Sequence, residues 1–425
     1  MNLADSERIR GVLLDFGLEE AKGEEDCDFL VLNTCVVREK SEKKVYGKLG
    51  KINRLWRKSG KPLVAVCGCM AQKEGKKLLE RFPFVVLVMG PSAIPRLGEA
   101  FPQIIKGERL LFLDDEKIME TDTLPIARYS SFKAWVPIIY GCNRFCAYCI
   151  VPYTRGRERS RHPDSVLKEI EELASQGYKE ITLLGQSVES YGKDLPFKYS
   201  LADLLREIEK IRGIKWVRFT TSYPLDFTEE LIKAIEECDK VCEHFHLPVQ
   251  SGSTRILRKM GRGYTREDYL KLISRLKASF PLPEASYTSD IIVGFPGETE
   301  EDFKESVSLV EKVRFDVVYT AIYSPRPGTL AATFPNQLDE ETKKRRINCL
   351  NRIVAQVAKG IHEELEGRVF EVLVDGIAPK GEMLQGRTRA NRIVVFRGGR
   401  ELIGNFVRVK VLKGETWSLI GEIVR

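Results

Sequence analysis

Residues 135–149 read Trp135-Val136-Pro137-Ile138-Ile139-Tyr140-Gly141-Cys142-Asn143-Arg144-Phe145-Cys146-Ala147-Tyr148-Cys149. The first six are apolar or aromatic and predict a buried strand; the glycine after them opens a Cys-x3-Cys-x2-Cys run on the following loop. Three thiolates on one loop suit a soft metal or an iron–sulfur cluster. No fourth cysteine or histidine follows nearby, His162 being the nearest. A closed zinc site wants that fourth ligand, whereas a cubane held by three thiolates leaves one iron open to something else. The missing ligand therefore favours a cluster, with zinc completed from elsewhere in the chain as the competing reading.

Downstream, residues 132–362 alternate strand candidates (181–184, 216–220, 244–249, 289–293 and 317–323) with helix-length segments, the pattern of a complete or partial β/α barrel. Each strand runs into a polar or glycine-containing tip: Gly185-Gln186, Thr221-Ser222, Gln250-Ser251-Gly252, Gly294-Phe295-Pro296-Gly297 and Ser324-Pro325-Arg326-Pro327-Gly328. In parallel barrels functional groups collect at those C-terminal ends. Upstream, residues 1–115 predict a small α/β sheet domain, with a helix carrying Ile9, Val12, Leu13 and Phe16 and buried strands at 29–32, 63–66 and 84–89. The stretch 114–131 has no sustained period and is expected to be a linker. Residues 363–425 switch to short β runs (369–374, 393–396, 406–411 and 418–424) broken by glycines, which predicts a small all-β barrel. The fold class is α/β with this third, all-β domain appended.

With 425 residues the chain is long enough for two or three separately packed domains. Its longest clean apolar run, 84–89, is far too short to cross a bilayer, and the opening residues lack a signal peptide's basic and apolar regions. The expected location is the cytoplasm, without membrane association. Thiols stay reduced there, so ten cysteines point to metal or redox chemistry more than to disulfides. A net charge of +7 only permits a polyanionic partner, so the local distribution must carry that argument. Residues 366–425 hold eleven Lys and Arg against seven Asp and Glu, with Arg387, Arg389, Arg392, Arg397 and Arg400 close together; an RNA footprint and a solvated basic face both fit.

At the cysteine run the sequence resembles the radical S-adenosylmethionine (SAM) superfamily. That resemblance implies a 4Fe-4S cluster on Cys142, Cys146 and Cys149 whose open iron takes SAM, Tyr148 near the adenine, and further SAM contacts at Gly185, Gln186, Ser222, Gln250, Ser251 and Val293. Asn33-Thr34-Cys35, Gly68-Cys69-Met70-Ala71-Gln72, Gln250-Ser251-Gly252-Ser253 and Tyr323-Ser324-Pro325-Arg326-Pro327-Gly328-Thr329 add a likeness to the methylthiotransferases, in that family's order along essentially the whole chain. Val151-Pro152-Tyr153-Thr154-Arg155-Gly156, Leu184-Gly185-Gln186-Ser187-Val188-Glu189-Ser190-Tyr191-Gly192 and Gly386-Arg387-Thr388-Arg389-Ala390-Asn391 are most similar to the MiaB branch, which adds a methylthio group to C2 of the prenylated adenosine beside the tRNA anticodon.

The resemblance implies that Cys35 and Cys69 bind an auxiliary, sulfur-supplying 4Fe-4S cluster, that SAM serves both methyl transfer and radical generation, and that the C-terminal barrel is a TRAM domain. It also implies a tRNA anticodon stem-loop as partner and an electron donor such as flavodoxin or ferredoxin. Arg155 and Arg157 are expected near the reacting base, with Arg387, Arg389 and Arg392 on the RNA backbone. Rivals of the same fold act on threonylcarbamoyl-adenosine tRNA or on a ribosomal protein aspartate; a non-catalytic iron–sulfur RNA-binding sensor is the alternative of another class.

Three departures from the family's pattern stand out. Met1-Asn2 aligns with the end of the family's Gly-Cys-Gln-Met-Asn motif, so the third auxiliary cysteine is absent, and a truncated or misassigned start is the favoured explanation. Cys67, two residues from Cys69 on an expected strand, would share its face. Ser222-Tyr223-Pro224 replaces Ser-His-Pro, and Met260-Gly261-Arg262 deviates mildly; neither is expected to touch a cluster ligand. Cys238, Cys242 and Cys349 read as structural.

Overall fold

The computed structural model describes residues 1–35, 39–113, 124–220, 222–379 and 381–424. The chain divides into two compact units: residues 1–130, 140–145 and 149–159 in the first, and residues 131–139, 146–148 and 160–425 in the second. The division thus runs through the cysteine loop itself.

In the first unit, β1 (Phe29–Thr34), β2 (Leu63–Gly68), β3 (Val85–Met89) and β4 (Leu110–Phe112) pair in that order as a four-stranded parallel sheet. The short β4 was not evident from the sequence. Parallel sheets are buried on both faces, and strand alternation shows it here. Val64 and Val66 pack with Leu49, Ile52, Met70 and Phe84 on one side. Ala65 and Cys67 pack with Ile9, Val12, Leu87 and Leu97 on the other. Of the expected linker, residues 114–123 lie outside the described residues, and the remainder is tied down. Ala127 donates its N–H to Glu7, Arg128 pairs with the Glu7 carboxylate at 3.1 Å, and a Cβ on Gly11 would stand 2.2 Å from the Pro125 carbonyl.

Next come β5 (Lys133–Pro137), the two-residue strands β6 (Ile139–Tyr140) and β7 (Arg159–Ser160), then β8 (Glu180–Leu184), β9 (Trp216–Thr220), β10 (His244–His246), β11 (Ser286–Val293) and β12 (Val317–Ile322). In the second unit β5-β8-β9 and β10-β11-β12 are parallel sheets, joined by a parallel bridge from Val217 to Val241. Six parallel strands with helices between them form an open β/α barrel. The helices Arg266–Ser279 and Glu300–Val313 each start with reciprocal capping bonds, Thr265 with Asp268 and Thr299 with Asp302, which satisfy N-terminal N–H groups. The strand expected over 244–249 stops at His246, because Leu247 is followed by Pro248, which has no N–H to give a ladder.

One face of these strands makes the main core: Ala134, Val136, Ile181, Leu183, Val217, Phe219, Phe245, Tyr287, Ile291 and Val318 pack together with the helices. The alternate residues form a polar inner face. On it Arg218 pairs with Glu180 at 2.8 Å, His246 Nδ1 lies 3.0 Å from Thr288 Oγ1, and His246 Nε2 lies 3.6 Å from Asp290.

The chain ends in β13 (Val369–Ile377), β14 (Leu384–Thr388), β15 (Ile393–Phe396), β16 (Phe406–Gly414) and β17 (Leu419–Ile423), closed as a barrel in the order β13-β14-β15-β17-β16 around Val372, Val374, Val394, Phe396 and Val409. Its β14–β15 turn meets the N-terminal ends of the parallel strands. Arg218 donates to the Thr388 carbonyl at 2.9 Å, Ser286 to the Ala390 carbonyl at 2.6 Å, and Arg392 to Asp316, Pro283 and Ala285.

Candidate active site

The cysteine loop is held by close backbone approach. Gly141 has φ +73°, and a Cβ there would lie 2.0 Å from the Arg157 carbonyl, so only glycine fits without rebuilding the loop. Cys142 donates its N–H to Gly156 at 3.1 Å, and Asn143 and Glu158 exchange three hydrogen bonds of 3.2 Å. The Arg144 N–H points at the Cys142 sulfur from 3.4 Å. In the second unit, Ala147 donates to Met260 at 2.9 Å and accepts from Ala331 at 2.7 Å.

Cys142 and Cys146 are buried, Cys149 is half-buried, and none of the three is in a disulfide. Among the described residues, no three His, Cys, Asp or Glu side chains stand close enough to hold one metal ion. All three candidate donors on this loop are thiols, the donor set of an iron–sulfur cluster, so the residues present fit such a group.

Arg262 is the cation beside this loop. Its Nη1 lies 3.5 Å from the Cys146 sulfur and 3.5 Å from the Tyr148 hydroxyl, and its Nη2 donates to the Pro248 carbonyl at 2.7 Å. Burial opposes the Arg262 charge, but Tyr148, Tyr264 and Cys146 together hold its pKa well above the ordinary value. The Tyr223 ring sits 4.6 Å below the Arg262 guanidinium, and its hydroxyl bonds the Arg262 carbonyl. This corrects the expectation that the two family departures stand clear of cluster ligands. Tyr223 and Arg262 pack on each other, and Arg262 touches Cys146.

The strand tips carry the other expected SAM contacts. A Cβ on Gly185 would meet Ile139 at 2.5 Å, and Gln186 is half-buried beside it. Gln250 has φ +77°, a left-handed conformation costly for a glutamine; it is held by Gln250 N–H to Asp290 at 2.8 Å and Ile292 N–H to Gln250 at 2.9 Å. Ser251 is fully buried and accepts from the Ser253 N–H at 3.2 Å. Ser222 Oγ and the Glu189 carboxyl are buried side by side, with the Ser222 hydroxyl turned to the carboxyl. Val293 differs: its side chain is fully buried in the strand–helix core, which leaves only its backbone for a ligand.

Sequence reasoning missed Glu189 as a site group. The Tyr223 N–H donates to it at 3.1 Å, and burial pushes its carboxyl up to about 8, so at neutral pH it is mostly a protonated acid. The inner-face residues His246, Asp290 and Tyr319 were missed too. The polar–apolar alternation of His244-Phe245-His246 and the polar run Thr288-Ser289-Asp290 inside a strand carried that signal.

In the first unit, Cys35 and Cys69 follow the paired strand ends Thr34 and Gly68. Cys69 begins the helix Cys69–Glu74, so strand alternation stops at Gly68. Cys67 accordingly packs on the opposite side of the sheet from Cys69, with burial raising its thiol to about 12. It is a packing residue, contrary to the expectation of a shared face. Cys238 and Cys242 are likewise raised by burial, to about 11 and 12, and stay neutral.

The arginines divide. Arg155 is buried, bonded to Asp5 at 2.8 Å and Asn2 at 2.9 Å, and lies beside Cys69, so it supports that site from inside and offers no RNA surface. Arg157 is exposed. Arg389 grips Glu243 through two bonds of 2.9 and 2.7 Å, Arg392 pairs with Asp316 at 2.6 Å with both side chains buried, and Arg387 reaches Asp375 at 3.2 Å. These guanidiniums are engaged within the chain, and Arg389 and Arg392 sit at the strand ends opposite the tips. Sequence shows charge but not its partner, so these internal pairings could not be read from it.

Three family models match the chain: the Radical SAM superfamily over residues 136–310, Uncharacterized protein family UPF0004 over 1–90, and the TRAM domain over 363–424. Curated proteins of three organisms, each named tRNA-2-methylthio-N(6)-dimethylallyladenosine synthase, match all of the chain. That of Natranaerobius thermophilus is 48% identical with 94% of its length covered, that of Syntrophomonas wolfei 48% with 95%, and that of Carboxydothermus hydrogenoformans 45% with 97%. Among solved structures, the radical S-adenosylmethionine methyltransferase TsrM from Kitasatospora setae aligns with TM-score 0.58 at 17% identity, over 78% of this chain and 72% of that one, a likeness of fold alone. The chain belongs to the radical SAM superfamily and, within it, to the tRNA-2-methylthio-N(6)-dimethylallyladenosine synthase family.

Proposed function

We propose that this enzyme is a tRNA methylthiotransferase that adds a methylthio group to C2 of the prenylated adenosine next to the anticodon. The observation that carries this is identity of 48% along the full chain to a synthase of that name, with the cysteine run and strand tips intact. Cys142, Cys146 and Cys149 would hold a 4Fe-4S cluster, which when bound supplies the electron for reductive cleavage of SAM.

The chain's own groups then do the positioning. Arg262 balances thiolate charge at Cys146, and Tyr148 and the tips at Gly185, Gln186, Ser222, Gln250 and Ser251, with the Val293 backbone, hold SAM. The protonated Glu189 braces the Ser222 tip. Cys35 and Cys69, with Arg155 beside Cys69 countering negative charge, would give two of the thiolates for an auxiliary, sulfur-donating cluster. The substrate is the anticodon stem-loop, the electron donor a low-potential protein such as flavodoxin or ferredoxin, and the place of work the cytoplasm. The third-domain surface offered to RNA includes the exposed cations Arg397, Arg400, Arg408 and Lys410.

Mass spectrometry of tRNA nucleosides from a deletion strain tests the substrate. Methylthiolation of the prenylated adenosine should vanish and return on complementation. Loss of methylthiolated threonylcarbamoyl-adenosine instead, or unchanged methylthio-adenosines, overturns the assignment.

A further inference from the structure

Beside the cysteine loop, the first unit exposes a cluster that neither the cluster nor the SAM contacts use. Phe145 is 47% and Tyr153 55% exposed, although each would gain by burial. Their rings meet edge-on at 5.9 Å and 79°, and the exposed Arg157 places its guanidinium 4.7 Å from the centre of the Phe145 ring.

Single exposed aromatics are ordinary; two in contact with a stacked cation, on a fixed support, are not. The support is rigid on both sides. Phe145 belongs to the loop locked by Gly141 and the Asn143–Glu158 bonds. Tyr153 projects from the short helix Val151–Arg155, whose other side is anchored by Ile150 in the core and by Arg155 on Asp5. Glu158 of the same loop is turned to Asn143, so the exposed face of the patch is two rings with the Arg157 guanidinium.

We infer that Phe145, Tyr153 and Arg157 form a stacking platform for an unpaired base of the anticodon loop, a neighbour of the base that reacts. Every nucleobase offers a π-face to such rings, and the guanidinium adds attraction to both the ring system and the adjoining phosphate. The platform would hold the loop open and splayed, with its sequence tolerance set by stacking, not by base-edge readout. This rests on the anticodon-loop reading above.

The test uses anaerobically reconstituted, full-length protein and a fluorescently labelled anticodon stem-loop RNA carrying prenylated adenosine, with Kd read by anisotropy across a salt series. Tyr153→Ala and Phe145→Ala should each raise Kd about tenfold and leave the salt slope as it is, whereas Tyr153→Phe and Phe145→Trp, which keep a ring, should bind like the parent. Arg157→Ala should weaken binding and also reduce the slope by about 0.7–0.9, the mark of one lost phosphate contact. In turnover, loss of the rings should raise KM and spare kcat.

Because Phe145 adjoins Cys146, iron content is measured for each variant. Should Phe145→Ala lose iron, Tyr153→Ala, outside the cysteine run, decides. If the parent binds the stem-loop and Tyr153→Ala binds it equally well, the platform is refuted. If the parent does not bind the stem-loop, the anticodon reading fails and the platform with it.

Discussion

Glu189 concentrates several physical demands in one side chain. Its carboxyl is buried, one oxygen accepts the Tyr223 N–H, and burial, outweighing the hydrogen bonds from Ser222 and Tyr223, moves its pKa up to about 8. In the unfolded chain the same group ionises near 4.5, so between about 4.5 and 8 the folded state binds the extra proton. Stability from this group is thus complete below the lower value and falls as pH rises toward the upper one. Glu189→Gln, which cannot ionise, should flatten the fall in melting temperature over that window and be more stable than the parent at pH 8 by about 1–3 kcal/mol, a discounted reading of the shift. Thermal unfolding at several pH values checks this, and a parent profile already flat from 5 to 8 would contradict it.

The sequence marks Glu189 only as one letter in a polar stretch after a strand; its burial depends on Ser222 and Tyr223 arriving from the next strand tip. The same holds for Arg262, whose position beside Cys146 depends on a loop more than a hundred residues away. By contrast the Cys142, Cys146 and Cys149 run is legible at once as a candidate cluster loop, because its spacing is local and the loop that carries it needs only Gly141.

Among elements, the β14–β15 turn illustrates how the same residues support two readings until partners are known. Thr388-Arg389-Ala390-Asn391-Arg392 looks like a basic loop, yet it closes the N-terminal ends of β9 to β12 through backbone carbonyls and one buried ion pair. Arg392 and Asp316 are 2% and 3% exposed, so Arg392→Ala leaves a carboxylate buried without its cation. Such a loss costs about 3–5 kcal/mol, while replacing both charges by apolar groups costs less. Urea unfolding should therefore rank Arg392→Ala below Arg392→Met/Asp316→Leu, with the parent near or above the double variant. Equal stability of Arg392→Ala and parent would mean that the turn does not close the barrel.

Elements themselves were read well where apolar runs are continuous, as in β2, β3, β8 and β9. They were read poorly where length or partner decides: β4 has three residues, and β10 is cut short by Pro248. The anchoring of residues 124–129 was not legible for a related reason. Irregular backbone looks loose in sequence, and only Gly11 and Glu7 on a distant helix reveal that it is fastened.

At the scale of the molecule, a net charge of +7 must become a directed surface if a polyanion is to be held. With Arg389 and Arg392 engaged internally, the third domain turns other cations outward. Arg408 and Lys410 alternate on β16 with Val409 and Val411, which are 0% and 1% exposed, so the barrel's own packing forces both cations into solvent. If tRNA lies along that face, each neutralised phosphate adds about 0.7–0.9 to the slope of log affinity against log salt. Arg408→Gln/Lys410→Gln should then lower the slope by about 1.4–1.8 and leave the melting temperature close to the parent's, since neither side chain packs in the core. Arg389→Gln should do the reverse, because it breaks the grip on Glu243 while removing no outward charge: a lower melting temperature with an unchanged slope. Paired salt-series binding and thermal unfolding on the three proteins separate the two roles, and a slope that drops for Arg389→Gln but not for the β16 pair would return the RNA contact to the turn.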